Sequence, residues 1–87
     1  MVDIELVGHE YHYEIENIIK PYTGYIKDAS IRSILKGNLC RAEIYEGDNL
    51  VSFKEELGNE DQKYTKQLLI RTLYQVLCEF TGVKMPW

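Results

Sequence analysis

Asn59–Gly82, NEDQKYTKQLLIRTLYQVLCEFTG, is the stretch the rest of the chain has to dock against. Its ends carry helix signals. Asn59 is placed to cap a first turn, and Gln62 follows three residues on, where a capping-box partner belongs. Glu60 and Asp61 put negative charge at the positive end of the helix dipole. Gly82 supplies the residue that most readily turns left-handed and ends a helix. Between these ends Lys63, Gln67, Arg71, Gln75 and Glu79 recur every four residues as a polar stripe. Leu69, Leu73, Val76, Leu77 and Phe80 form a broad apolar stripe on another side. Such a helix runs roughly 30 Å, enough to cross a small domain. Burying each apolar side chain is worth about 1.5–3 kcal/mol, whereas ordering each residue costs about 1–2 kcal/mol. The helix therefore needs a partner surface, which the preceding residues must supply.

Immediately before it, Leu39 to Leu57 reads as a hairpin. Cys40, Ala42 and Ile44 alternate with Arg41, Glu43 and Tyr45. After Glu46-Gly47-Asp48-Asn49, Val51, Phe53 and Leu57 alternate with Ser52, Lys54 and Glu56. A two- or four-residue loop sets Ile44 across from Val51, or one step along, and keeps the apolar residues of both strands on one face. Thr23 to Asn38 is punctuated by Gly24 and Gly37. Asp28 could cap a short helix through Ile34 and Leu35, or the same residues could extend the strand that follows; the pattern leaves both open. From His9 to about Lys20, Tyr11, Ile15, Ile18, Ile19 and Tyr22 fall at helical spacing, and Pro21 ends or kinks that helix. Val2 to Val7 alternates as a first, half-buried strand, and Gly8 breaks it.

The order strand, helix, strand, strand, helix predicts an α+β two-layer sandwich, with two amphipathic helices on one face of a small antiparallel sheet. It resembles a ferredoxin-like arrangement missing its last strand. The absent strand leaves an open sheet edge that invites pairing with a neighbouring domain or a second copy. The expected organisation is a single α+β domain over residues 1–82, with residues 83–87 starting a linker.

The chain has 87 residues, 45% hydrophobic and 28% charged, and a net charge of −4. That length allows one domain with a small core. An acidic chain lacks the electrostatic footprint of a nucleic-acid binder. No apolar run reaches the ~20 residues that span a bilayer, and MVDIELVGHE lacks the basic, apolar and small-residue succession of a signal peptide. The expected location is cytoplasmic, with Cys40 and Cys78 reduced and largely buried.

Chemistry is sparse. His9 and His12 form a histidine pair at a helix start, but spacing marks no third ligand, so both are expected as surface histidines and no metal site is assigned. Glu14 with Glu16, Glu43 with Glu46, and Glu55 with Glu56 are candidate carboxylate pairs. The patterns assign all of them to solvent, where a catalytic pKa is not reached. Phosphate-cradling glycine motifs and nucleophile elbows are absent. Of the seven tyrosines, Tyr11, Tyr22, Tyr64 and Tyr74 fit helix faces and cover the core edge, with an aromatic ligand platform as the alternative. No catalytic or cofactor-binding residue is assigned.

The end of the chain, Val83-Lys84-Met85-Pro86-Trp87, is apolar where a terminus is ordinarily polar. It reads as the place where a linker enters another domain. LYQVLCEFTGVKMPW (Leu73 to Trp87) resembles the segment preceding the catalytic domain in oxygen-independent coproporphyrinogen III oxidase-like proteins of the HemZ type. IELVGHEYHYEIENIIKPY (Ile4 to Tyr22) is similar to the start of the same proteins. Those are radical-SAM proteins associated with haem biosynthesis, in which a CxxxCxxC motif holds a [4Fe–4S] cluster that cleaves S-adenosylmethionine. Neither Cys40 nor Cys78 belongs to such a motif, so the resemblance implies a non-catalytic N-terminal accessory domain. The enzyme proper would then lie beyond Trp87, and Tyr74, Phe80, Met85, Pro86 and Trp87 would dock against it. An RNA-binding accessory module and a stand-alone homodimer are the alternatives.

Overall fold

The computed structural model describes residues 3–26 and 28–83. They form β1 (Asp3–Val7), α1 (His12–Ile19) with a 3-10 turn (Lys20–Tyr22), β2 (Ala29–Lys36), β3 (Leu39–Glu46), β4 (Asn49–Leu57) and α2 (Gln62–Thr81). The architecture is α+β, a four-stranded sheet carrying both helices on one side, as the apolar stripes require. Ala29–Lys36, which the pattern left open between helix and strand, is a strand of its own. One detail differs from expectation. The sheet is mixed, in the order β1-β2-β3-β4, with β1 parallel to β2 and the other neighbours antiparallel. β1 therefore lies at an edge, unlike the central first strand of a ferredoxin-like sheet.

Register separates the two faces. Ile4 pairs with Ile31, and Ile31 with Ile44, on the side turned to the helices. Ile15, Ile19, Ile31, Ala42, Ile44, Leu73, Val76 and Leu77 close one core there, each at most 2% exposed. Leu69 packs with Cys40 and Leu68 in a smaller neighbouring cluster. Cys40, wholly buried, donates its thiol to Thr65 O at 3.4 Å.

α2 starts two residues later than the capping-box reading placed it. Asp61 is the N-cap, its carboxylate accepting from Lys63 N and Tyr64 N. Asn59 instead accepts from Asp61 N and so shapes the approach to the cap. Gly82 closes the helix at φ +74° with its amide bonded to Cys78 O. Gly8 also needs its freedom, because at φ +79° a Cβ would sit 1.9 Å from Leu35 O.

The hairpin overturns the expectation of one apolar face. Its turn is Gly47-Asp48, but a bulge between Ile44 and Tyr45 lets Val51 stand as an extra residue, and Ile44 meets Ser52. The added residue flips β4. Ser52, Lys54 and Glu56 turn toward α2, where Lys54 bonds Glu79 at 2.5 Å and Arg71 approaches Glu56 at 3.8 Å. Val51, Phe53 and Leu57 turn away, 42%, 48% and 74% exposed. Part of the polar stripe of α2 thus packs over β4 instead of facing water alone.

Candidate functional site

The face of the sheet without helices carries a charge ladder. Register sets Glu5, Arg32 and Glu43 side by side on β1, β2 and β3, and Arg41 beside Glu55 on β3 and β4. Arg32 reaches Glu5 at 3.5 Å and Glu43 at 3.3 Å. Arg41 Nε donates to Glu43 Oε2 at 2.6 Å, and its Nη1 donates to Glu55. The Tyr45 hydroxyl adds a bond to Glu43 Oε1 at 3.1 Å. Glu43 is 5% exposed, not in solvent as its place in the alternation suggested. Two guanidiniums and a hydroxyl fill its oxygens, so the charge is compensated where it is buried. Burial works against the Arg41 charge, but Glu43 and Glu55 outweigh it and hold its pKa above the ordinary value. Its guanidinium also lies 4.2 Å over the Phe53 ring.

Around this ladder the face is apolar in patches. Leu50, Val51, Phe53 and Leu57, all on β4, are among the most exposed large hydrophobic side chains. Beside Arg32 an open cleft of about 580 Å³ is rimmed by Asp3, Glu5, Ser30, Tyr45 and Asp48. Glu5, Arg32, Glu43, Arg41 and Glu55 each have an opposite charge beside them, whereas the apolar groups of β4 stand exposed.

His9 is half-buried, not a surface group. Its Nδ1 accepts from Tyr11 N at 3.2 Å, so Nε2 carries the proton and donates to Ser33 O at 3.1 Å. Ser33 Oγ lies 3.1 Å from the same nitrogen, but a protonated Nε2 cannot take a proton from it, and Ser33 is fully buried. The pair is a bolt between the start of α1 and β2. His12 is exposed and sits 3.6 Å from Glu16. Among the described residues no group of three or more His, Cys, Asp or Glu is placed to hold a metal.

Cys40 and Tyr22 are held protonated. Burial, then Glu56, pushes the Cys40 thiol up. Burial, then a 3.7 Å contact with Cys78, pushes the Tyr22 hydroxyl up to about 12. Of the carboxylate pairs, Glu16, Glu46 and Glu55 are exposed. Glu14 is bound by Lys66 at 2.6 Å and so held below the ordinary range.

Of the docking residues expected near the chain end, Tyr74 and Phe80 are half-buried against the main core. Phe80 also lines a cleft of about 170 Å³ with Tyr25, Asp28 and Glu46. Met85, Pro86 and Trp87 lie outside the described residues. The exposed apolar groups of β4 and the ladder formed by Arg32, Arg41 and Glu43 were not anticipated. The alternation of β4 was visible, but which face it turned outward depends on the bulge. No helix among the described residues is long and apolar enough to cross a membrane. Comparison of the chain with family models, curated proteins and solved structures returned no match.

Proposed function

We propose that this chain is a non-catalytic docking domain, the N-terminal accessory part of a coproporphyrinogen III oxidase-like radical-SAM protein of haem biosynthesis in the cytoplasm. One observation supports the docking role above others. The helix-free face of the sheet collects exposed Leu50, Val51, Phe53 and Leu57 around an internally neutralised ladder of Arg32, Arg41, Glu43 and Glu55. Such a surface binds by apolar contact and uses its charges for orientation. The family is supported only by the resemblance of Ile4–Tyr22 and Leu73–Trp87. In this reading the [4Fe–4S] cluster and S-adenosylmethionine belong to the downstream catalytic domain.

The test is association with a separately produced radical-SAM core of that family, followed by sedimentation. A one-to-one complex is expected, weakened about tenfold or more by Phe53→Asp. Absence of a complex with the intact surface would overturn the reading. Anaerobic incubation of the chain with iron and sulfide is expected to give no thiolate-cluster absorbance near roughly 400 nm, and a stoichiometric cluster would equally defeat it. RNA binding gains no support from the open face, where Tyr45 and Phe53 stand among Glu5, Glu43 and Glu55.

A further inference from the structure

β4 is the last strand of the sheet, and its ladder to β3 fixes the direction of every backbone group. Gly58 N donates to Asn38 O at 2.7 Å. Counting back through an antiparallel ladder, Cys40–Glu56, Ala42–Lys54 and Ile44–Ser52 are the hydrogen-bonded pairs. Leu57, Glu55 and Phe53 alternate with them, so their N–H and C=O groups point away from β3. Among the described residues no backbone hydrogen bond outside the elements uses these groups. They form three successive open pairing positions, each about 7 Å from the next. Their side chains share the open face, with Phe53 and Leu57 on either side of Glu55.

Charge selects what can pair there. Glu5 faces Arg32, Arg32 faces Glu43, and Arg41 faces Glu55. The Arg41–Glu43 bond joins these rows, so acid and base alternate from β1 to β4 and the series ends on Glu55. A second copy fits this edge poorly. Two β4 strands related by a two-fold axis use all three open positions of both copies only when centred on Glu55, which sets Glu55 directly against its own counterpart. Centring on Phe53 draws in Val51, where the bulge breaks the regular backbone. Centring on Leu57 sets Glu55 against Asn59, whose amide and carbonyl are both bonded to the Thr65 hydroxyl. Centring on Lys54 or Glu56 sets like charges against each other and uses two of the three positions, so self-pairing is disfavoured while the edge stays open to a complementary strand.

We propose that the β4 edge accepts an extended segment of another polypeptide as a fifth strand. Its lysine or arginine falls opposite Glu55, and apolar residues two positions to either side fall opposite Phe53 and Leu57. The recognised pattern is apolar-x-basic-x-apolar, read by backbone pairing plus one charge. This rests on the docking reading above but not on the enzyme family to which that domain is referred.

The probe is an end-capped heptapeptide of alternating threonine and valine with lysine at its centre. A twin peptide carries glutamate there instead. Amide exchange of the 87-residue chain is followed by NMR as each is added. The lysine peptide is expected to slow exchange at Phe53, Glu55 and Leu57 and to bind about fivefold to tenfold more tightly than its twin. Glu55→Lys is expected to reverse that preference. Equal affinity for the two peptides, protection elsewhere, or binding of neither overturns the proposal. Concentration-dependent dimerisation lost in Glu55→Lys hands the edge to a second copy and overturns it too. If no peptide binds while the chain still joins a radical-SAM core, the edge is excluded and the docking reading survives.

Discussion

On the side of the sheet turned to the helices, Ile31, Ala42 and Ile44 have no exposed surface and belong to one apolar cluster with residues of α1 and α2. On the other side, the adjoining positions of the same strands carry Arg32, Arg41 and Glu43, with Glu43 buried nearly as deeply. The first face holds the fold by removing hydrocarbon from water, which is non-directional and tolerant of the partner's shape. The second face satisfies its charges one by one, which contributes little net stability but fixes where each group points. Stability should therefore be lost from one face and binding from the other.

The largest expected effect lies under the helices. Leu73→Ala removes a side chain with no exposed surface from the middle of the main core, and should cost about 2–5 kcal/mol. Urea unfolding followed by circular dichroism measures it. A loss under about 1 kcal/mol would mean that α2 does not bear on this core as described.

Next comes Glu43, the buried charge of the open face. Glu43→Ala leaves two guanidiniums close together and the Tyr45 hydroxyl without its acceptor. Arg32 and Arg41 keep 36% and 21% of their side chains exposed, so water replaces part of what is lost. The expected cost is about 1–3 kcal/mol, more than a surface ion pair gives and less than a large core truncation. Repeating the unfolding at high salt should narrow the gap to the parent chain. A salt-independent gap would assign the effect to packing.

The sign of the pH response separates the bolt from the ladder. Burial first, opposed by the bond to Ser33 and by Glu14 and assisted by His12, holds His9 below its ordinary pKa of 6.5. The unfolded chain therefore takes up this proton before the folded chain does. Stability from His9 is complete above the unfolded value and is lost as pH falls through the lower folded value. Glu14 acts in a more acid window, complete above its ordinary 4.5 and lost below it. His9→Gln should flatten the first decline and leave the second. Equal slopes in both chains just below pH 6.5 would remove His9 from the account.

How much of this was legible in the sequence follows the same division. Four of the five apolar positions read from α2 are fully buried, because a helical period depends on neighbours three and four residues away. The helix cap was displaced by two residues because Asn59 and Asp61 are both able caps, and only three-dimensional bonding assigns their roles. β2 stayed ambiguous because Ser33 and Ile34 blur its alternation, with an alcohol on the core side and an isoleucine on the open side. The bulge beside Val51 carries no glycine or proline to announce it. Glu43 looked like a solvent residue because its burial depends on Arg32, eleven positions away and brought beside it only by strand pairing. The core was written locally, whereas the open face emerged from register.

Phe53 offers the smallest expected stability effect and the sharpest contrast with Leu73. It is 48% exposed, and the Arg41 guanidinium lies 4.2 Å from its ring centroid. An exposed contact of that kind is worth about 0.5–1 kcal/mol. Threonine keeps the preference for extended backbone while removing the ring. Phe53→Thr should therefore shift the unfolding free energy by less than about 1 kcal/mol, while weakening capture of a lysine-centred strand or a catalytic core about tenfold. Leu73→Ala should show the opposite balance wherever the folded fraction is assayed. If Phe53→Thr instead unfolds the chain as readily as a core truncation, its ring supports the sheet from the open side. The two faces would then share one task, and the proposal of a partner surface on β4 would fall.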